Sequence, residues 1–412
     1  MTGSFVGAMP AEDFLRKFMR YTRTMPAPPT EYDFSNMSGK DGELKMYPLF
    51  CEAINKSGIC PGFKLVTVAN DVDGNGIRLS PDLALLDKKL SFKKDSVYND
   101  MQFWLEIKSS ETADAFSDLK DPNSVEKNKG DSIATRGKLI SYAAAVFSRQ
   151  HRLHLFSVCI CGHYARFFRW DRSGCIVSTQ FDFHKQPYLL AYFFWCYSKL
   201  TCTERGFDST VSPASEAEAK LLRDAMARYK TECEEQNRKN VTALRKPKDK
   251  ESPWPAFRIQ ADFNGVIRKL IVGRPFWGSE SPCGRATHGY TAYDTIAKRL
   301  VFLKDSWRTD NNHILAEGLM YTKLKGHNVP FLPVILAAGD VKINGKPQKT
   351  LTQNYANMRF RPKWLLPCSR LNTLIHYRVV QELAYPLVSV VSSKEAVQVM
   401  RDTVEGTSMS SD

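Results

Sequence analysis

Cysteine spacings typical of zinc sites, long hydrophobic runs and an amino-terminal export signal are all missing from this sequence. The ten cysteines are scattered, and the one close pair, Cys159 and Cys161, alternates on a strand-like run, which does not fit a zinc finger. Scattered thiols predict reduced cysteines in a reducing compartment. The most apolar run, residues 187–197, is far shorter than the roughly 20 residues that cross a bilayer. We therefore expect an intracellular protein of the nucleus or cytoplasm with no membrane partner.

Acidic residues are scarce relative to basic ones. The 412 residues include 44 Asp and Glu against 58 Lys and Arg, a formal net charge of +14. This charge suits an anionic partner, such as a nucleotide, a nucleic acid or a phosphorylated surface, and does not choose among them. The length allows two or three domains, since single domains usually have about 100–200 residues.

A lysine at the end of a buried strand, followed by a glutamate on a helix, is the first chemical feature. The predicted strand 299–308 carries Lys304, and the predicted helix 313–324 carries Glu317. In the small lobe of a protein kinase, a strand lysine holds the phosphates of ATP and a helix glutamate holds that lysine. The alternative is a strand that ends in a solvated lysine beside an ordinary amphipathic helix.

A second feature lies in the amino-terminal half, where Pro81-Asp82 and Glu106-Ile-Lys108 match the Pro-Asp…Glu-x-Lys signature of restriction-endonuclease-like folds. Alternation along a strand puts Glu106 and Lys108 on the same face. Asp82 could then join Glu106 in holding Mg²⁺ while Lys108 steadies the attacking water, and Glu43 would add a further carboxylate. The alternative is that these charges sit at strand ends for solubility, or that the fold persists without activity.

The order of predicted elements indicates an α/β (α+β) protein with two domains. A helix, three strands, a helix and further strands favour a restriction-endonuclease-like fold for the first domain. The predicted divisions are an amino-terminal arm (1–30), an α/β domain (31–205), a charged helix and basic linker (206–253), a second domain (254–402) and a disordered tail (403–412). We interpret the basic run within the linker, residues 238–250, as a solvated connector.

Ten segments, taken in order along nearly the whole chain, resemble the fungal-type protein kinase family. They are residues 9–15, 61–64, 81–84, 105–108, 136–142, 149–152, 165–171, 284–287, 303–307 and 382–387. The resemblance implies a protein-kinase-like small lobe, an antiparallel sheet plus a helix, preceded by the family's own amino-terminal domain. It also implies ATP and Mg²⁺ as cofactors and Ser/Thr hydroxyls as acceptors.

The resemblance assigns roles by position in the second domain. Lys304 would be the phosphate-binding lysine and Glu317 its partner. Residues 381–385, among them Glu382 and Ala384, would form the hinge that binds adenine through backbone groups. The phosphate-covering loop departs from the usual Gly-x-Gly-x-x-Gly, since only Gly278 and Gly284 flank it.

The catalytic motifs of a kinase large lobe are missing from the sequence. Kinases need a His-Arg-Asp…Asn loop and an Asp-Phe-Gly after the lysine and the glutamate. No His-Arg-Asp occurs, and the nearest look-alike, Asp262-Phe-Asn-Gly265, precedes Lys304. The sequence stops where the large lobe should begin. We therefore expect a truncated family member that is catalytically incomplete or inactive, a pseudokinase.

Two other functions stay open. One is a non-catalytic module that binds a nucleotide or a protein partner, and the other is a metal-dependent nuclease-like activity of the amino-terminal domain, with nucleic acid as the partner. The identity of any protein substrate is not predicted. Apolar residues of the small lobe, among them Leu383, Leu387 and Val390, are expected to lie exposed and to promote self-association.

Overall fold

The computed structural model describes most of the chain. The described residues are 1–22, 24, 26–69, 80–91, 97–118, 124–236, 254–263, 265–276, 279–357, 363, 365, 368–384 and 389–409. The predicted basic linker 238–250, Gly278, Tyr385 and Leu387 lie outside the described residues.

Seventeen strands and nine α-helices are defined within the described residues. The strands are β1 (Phe5–Met9), β2 (Phe63–Thr67), β3 (Leu83–Asp87), β4 (Phe103–Lys108), β5 (His154–Cys161), β6 (Tyr164–Asp171), β7 (Gly174–Ser178), β8 (Phe181–Asp182), β9 (Val211–Pro213), β10 (Phe257–Phe263), β11 (Val266–Val272), β12 (His288–Asp294), β13 (Arg299–Thr309), β14 (Ile335–Asp340), β15 (Lys342–Ile343), β16 (Lys346–Pro347) and β17 (Leu374–Glu382). The helices are α1 (Ala11–Phe18), α2 (Glu43–Lys56), α3 (Val97–Asp100), α4 (Gly130–Arg149), α5 (Pro187–Lys199), α6 (Glu216–Glu235), α7 (Glu317–Gly326), α8 (Thr352–Ala356) and α9 (Ser393–Met409).

The chain divides into two compact units. Unit 1 consists of Met1–Asp208, Glu280–Gly284 and Thr350–Thr373, and unit 2 consists of Ser209–Ser279, Arg285–Lys349 and Leu374–Asp412. Residues 350–373 are predicted in the second domain but belong to unit 1. The segment returns to unit 1 because one carboxylate oxygen of Asp171 accepts the N–H groups of Leu351 and Thr352, at 2.8 and 2.9 Å.

Unit 1 is built on one mixed sheet, with strand order β1-β7-β6-β5-β4-β3-β2 and β8 paired with β6. Strands β2, β3 and β4 are antiparallel neighbours, whereas β4 and β5 are parallel. A parallel pair needs a crossover connection, and α4 supplies it between β4 and β5. From α2 to β5 the predicted order of helix, three strands, helix and strand is found, except that the four-residue helix α3 lies between β3 and β4.

Helices cover both faces of the unit 1 sheet, which is why its strands are almost continuously apolar. On β4, Leu105 belongs to the core shared with α1, α2 and α5, and Trp104 belongs to the core shared with α4. Alternation therefore puts Glu106, like Trp104, on the α4 face of the sheet.

Residues 1–30 are not the separate arm that the sequence analysis expects. All five residues of β1 are buried, and β1 pairs in parallel with β7, with Phe5 opposite Cys175. Helix α1 also contributes Phe14 and Leu15 to the core. An apolar run of five residues is too short to identify its partner strand, so the pairing is not visible locally.

Unit 2 contains a seven-stranded sheet of order β14-β17-β13-β12-β11-β10-β9, in which every pair is antiparallel. Helix α7 lies between β13 and β14 in the chain, and β15 and β16 form a separate hairpin. The sheet core includes Val301, Leu303 and Val380, all fully buried. This arrangement agrees with the predicted antiparallel sheet plus helix.

Two helix boundaries differ from the prediction. The helix predicted from residue 313 begins at Glu317. Helix α9 runs through residues 403–409, which the sequence analysis assigns to a disordered tail. Its start is capped reciprocally, because Ser392 Oγ accepts the N–H of Glu395 at 3.2 Å and the Glu395 carboxylate accepts the N–H of Val391 at 2.7 Å. Once such a start is formed, each further residue adds a hydrogen bond.

Exposed apolar side chains of unit 2 include several on α7 and α9. Leu383 and Val390 are half-buried, whereas Leu319, Met400 and Val404 are more than half exposed. Self-association through such side chains stays a prediction. No helix among the described residues has the length and apolarity of a membrane span.

Candidate functional site

Lys304 and Glu317 are brought into direct contact in unit 2. The Lys304 Nζ lies 2.9 Å and 2.7 Å from the two carboxylate oxygens of Glu317. The two side chains are 24% and 21% exposed, so the ammonium is sheltered yet reachable by a ligand. Binding of ATP phosphates by this ammonium stays a prediction.

The local sequence explains how this pair forms. On β13, Val301 and Leu303 point into the sheet core, so alternation turns Lys304 to the opposite face. Strand β13 lies between β12 and β17, with Lys304 opposite Gly289 and Val379. Glu317 is the first residue of α7, where a carboxylate is also favoured by the helix dipole.

The predicted hinge residues lie at the end of β17. The N–H of Glu382 donates to the carbonyl of Val334 at 3.0 Å, so that N–H is already engaged. The Glu382 carboxylate accepts a hydrogen bond from Arg299 at 3.1 Å, and Ala384 is exposed. Their proposed contact with adenine stays a prediction.

Gly284 belongs to unit 1, not to the unit that contains Lys304. Its φ of +95° is one that glycine adopts readily. Its N–H donates to the carbonyl of Arg172 at 2.8 Å, and the Arg172 guanidinium in turn donates to the carbonyl of Pro282 at 3.3 Å. Backbone and side-chain bonds thus hold this segment to the β6–β7 turn, and its phosphate-covering role stays untested.

The three carboxylates predicted as possible metal ligands, Asp82, Glu106 and Glu43, converge in unit 1 around the ammonium of Lys108, which is predicted to steady the attacking water. Its Nζ lies 2.8 Å from Glu106, 3.4 Å from Glu43 and 4.0 Å from Asp82. The Glu106 side chain is 0% exposed and the Lys108 side chain is 14% exposed. The predicted carboxylates and lysine therefore form one network, which is buried at Glu106 and partly exposed at Glu43.

Asp82 is also held by neutral donors. The Tyr47 hydroxyl donates to one of its oxygens at 2.6 Å, and the N–H of Ile107 donates to the other at 2.7 Å. Burial, followed by the negative charge of Glu106, raises the pKa of Asp82 to about 6 in spite of these hydrogen bonds. Burial disfavours the Lys108 ammonium, but the attraction of Glu106, Asp82 and Glu43 outweighs it and raises the Lys108 pKa.

This arrangement does not resemble a set of metal ligands. Within the described ranges, no group of three or more His, Cys, Asp and Glu side chains is placed to hold a metal ion. The Lys108 ammonium already lies 2.8 Å from one oxygen of Glu106, and both Asp82 oxygens accept hydrogen bonds. The residues as arranged do not fit a resident Mg²⁺ ion.

The raised pKa of Asp82 predicts a pH-dependent penalty. An unfolded Asp has a pKa near 3.8, so between about pH 4 and pH 6 the folded protein binds more protons at this group than the unfolded chain. The contribution of Asp82 to the unfolding free energy therefore falls as the pH rises through this window. We expect a loss on the order of 2 kcal/mol by pH 7 relative to pH 4.5.

Urea unfolding of the wild type and Asp82→Asn at both pH values measures this effect. The amide that this substitution introduces cannot accept both hydrogen bonds, but that defect does not depend on pH. The unfolding free energy of the variant minus that of the wild type should therefore increase by about 2 kcal/mol from pH 4.5 to pH 7. A constant difference between the two proteins would show that Asp82 is not perturbed.

Three further residues of this network, Tyr47, Lys138 and Tyr142, are not predicted from the sequence, although their helical spacing offers a signal. Tyr47 follows Glu43 by four residues on α2, and Tyr142 follows Lys138 by four residues on α4, a spacing that puts side chains on one helix face. The Lys138 Nζ lies 3.3 Å from Glu106. The pKa of Tyr142 is raised by burial and by the charge of Glu106.

A second buried charge cluster in unit 2 was also missed. The Asp305 carboxylate accepts hydrogen bonds from Arg378 Nε at 3.0 Å and contacts His376 Nε2 at 2.5 Å. The Arg378 side chain is 0% exposed and also donates to Thr210 at 2.9 Å. The cluster joins β13, β17 and the segment before β9, so it ties distant parts of unit 2 together.

A family model described as fungal protein kinase matches residues 100–409, which is more than half of the chain. No significant match is found among curated proteins or among solved structures.

Proposed function

Because the chain belongs to the fungal protein kinase family, we propose that unit 2 binds the phosphates of ATP through Lys304, which Glu317 holds in position. The observation that carries this proposal is the contact of the Lys304 ammonium with both carboxylate oxygens of Glu317. The kinase-like function of the family needs such a pair, since catalysis of phosphoryl transfer depends on positioning and charge.

The surroundings of the pair support this role. Lys304 lies on an interior strand of an antiparallel sheet, and Glu317 starts the helix that separates β13 from β14. Residual exposure of both side chains leaves one side of the ammonium accessible. A phosphate oxygen there would gain a charge-assisted hydrogen bond, while Glu317 keeps the flexible lysine in place.

Transfer of the phosphoryl group needs further groups. No His-Arg-Asp and no Asp-Phe-Gly occurs in the 412 residues, and Mg²⁺, when bound with ATP, neutralises the charge of the phosphates. We therefore propose nucleotide binding as the activity of these residues. Phosphorylation of Ser/Thr hydroxyls would also require a base and metal ligands, which those two motifs supply in protein kinases.

Direct measurement of ATP affinity tests the proposal. Lys304→Met should weaken ATP binding at least about tenfold, because a hydrogen bond to a charged group contributes about 1.5–3 kcal/mol. Lys323→Met removes the same charge from an exposed position on α7 and should change the affinity by less than about twofold. Isothermal titration calorimetry measures the ATP affinity of the three proteins. The proposal is contradicted if both variants bind ATP with the affinity of the wild type.

For unit 1 we propose a restriction-endonuclease-like fold without a resident metal. The succession of α2, the antiparallel strands β2, β3 and β4 with the short α3 before β4, α4 and the parallel strand β5 supports the fold. The convergence of Asp82, Glu106 and Lys108 supports it as well. The position of the Lys108 ammonium favours a structural ion network over metal binding. We therefore propose no cleavage reaction for this unit.

A further inference from the structure

Helix α7 carries Glu317 but is weakly embedded in unit 2. None of its residues is buried, and Leu319 and Met320 are 59% and 41% exposed. The residue that precedes it, Ala316, has no side chain that could cap the helix. The position of Glu317 therefore depends on how the first turn of α7 contacts the sheet.

That contact is made by Gly318, the residue next to Glu317. The N–H of Gly318 donates to the hydroxyl of Tyr377 at 3.0 Å. Tyr377 lies on β17 and is only 4% exposed, so the hydroxyl is presented from a fixed position. It satisfies one of the N–H groups that have no partner within the first turn of a helix.

The backbone of α7 approaches the sheet so closely at Gly318 that no side chain fits. A Cβ atom at this position would lie 2.4 Å from the Cβ of Ala338 and 2.8 Å from the Tyr377 hydroxyl. Carbon atoms normally pack about 3.5–4.0 Å apart, so a methyl group would have to displace the first turn by roughly 1 Å. A shift of this size would stretch the 2.7 Å contact between Lys304 and Glu317 beyond hydrogen-bond distance.

We infer that Gly318 and Tyr377 are positioning residues, which seat α7 on the sheet and thereby hold Glu317 on Lys304. The consequence for ATP affinity rests on the proposed function, whereas the effect on the Lys304–Glu317 pair does not. Neither residue touches the nucleotide in this account, since both act through Glu317.

The test uses chemical labelling of lysine amines in the nucleotide-free protein, read out at Lys304 by mass spectrometry. Glu317→Gln provides the rate for an unpaired Lys304, which should be about fivefold above the wild type. The labelling rate of Lys304 in Gly318→Ala should approach that of Glu317→Gln. The rate in Tyr377→Phe should lie between those of the wild type and Glu317→Gln. Lys323 and Lys325, which are exposed on the same helix, should label at unchanged rates in every variant.

Gly326→Ala is the matched control, because a Cβ atom at this other end of α7 would meet nothing within 4 Å. Both alanine variants increase helix propensity, so they differ only in whether the close contact of Gly318 with Ala338 and Tyr377 is lost. Gly326→Ala should label like the wild type. Tyr377→Phe keeps the buried ring and therefore tests the hydroxyl even if Gly318→Ala folds poorly.

The outcomes separate this inference from the proposed function. Unchanged labelling of Lys304 in both Gly318→Ala and Tyr377→Phe would overturn the positioning role, whatever happens to ATP binding. Faster labelling together with about fivefold weaker ATP binding in Gly318→Ala would support both the seat and the nucleotide site. If Lys304 labels faster in the variants but the wild type does not bind ATP, the positioning role is supported and the proposed function is contradicted.

Discussion

Replacing Lys108 with methionine should lower the unfolding free energy of unit 1 by about 3–5 kcal/mol, the usual result of removing one partner from a buried ion pair. The Glu106 carboxylate is 0% exposed and lies 2.8 Å from the Lys108 Nζ. Without the ammonium, a buried negative charge would lose its nearest compensation while the charge of Asp82 remains close by. Methionine keeps most of the side-chain volume, so the loss is electrostatic rather than a packing defect.

Lys138→Met is the control for this prediction. Lys138 also contacts Glu106, at 3.3 Å, but its side chain is 44% exposed. Its contribution should therefore stay below about 1 kcal/mol. Hydrogen exchange of peptides from β4 and β5, measured at increasing urea concentrations, reports the stability of unit 1 directly. Equal stabilities of the two variants would show that Lys108 does not hold the network together.

Arg378→Met should destabilise unit 2 by about 3 kcal/mol. Arg378 is 0% exposed and donates to Asp305 and Thr210, so its removal leaves a buried carboxylate with less compensation. Arg308→Met removes a partly exposed pair with Asp340, whose side chains are 23% and 21% exposed, and should change the stability by less than about 1 kcal/mol.

Hydrogen exchange of β13 and β17 peptides follows the stability of unit 2 for both arginine variants. Protection should fall strongly in Arg378→Met and little in Arg308→Met. A similar fall in the two variants would mean that burial does not distinguish the two ion pairs. Protection of β4 and β5 amides in the same samples shows whether the effect is confined to unit 2.

Local patterns predicted the elements of the site well. Strands β13 and β4 are predicted correctly because their apolar residues alternate with or surround charged ones. These charged residues are Lys304 on β13 and Glu106 and Lys108 on β4. Strand β10 was not identified, although the signal is clear in hindsight. Its residues Phe257, Ile259, Ala261 and Phe263 face inward or are half-buried, whereas the residues between them are exposed.

Features that depend on distant parts of the chain could not be predicted in this way. The pairing of β1 with β7 and the return of residues 350–373 to Asp171 join segments that are more than 160 residues apart. Hydrophobic periodicity describes which face of an element is buried and not which partner covers it. The seat at Gly318 depends in the same way on Ala338 and Tyr377, and a glycine inside a helix predicts only a loss of helix stability.

The most direct test of the central claim is to map where an ATP derivative carrying a reactive acyl phosphate labels the protein. Such a reagent acylates a lysine amine that lies beside the phosphates of the bound nucleotide. We expect Lys304 to be the dominant modified residue, with labelling suppressed by excess ATP and absent from the Lys304→Met variant. Labelling spread over exposed lysines and insensitive to ATP would contradict the assignment of Lys304 as the phosphate-binding residue.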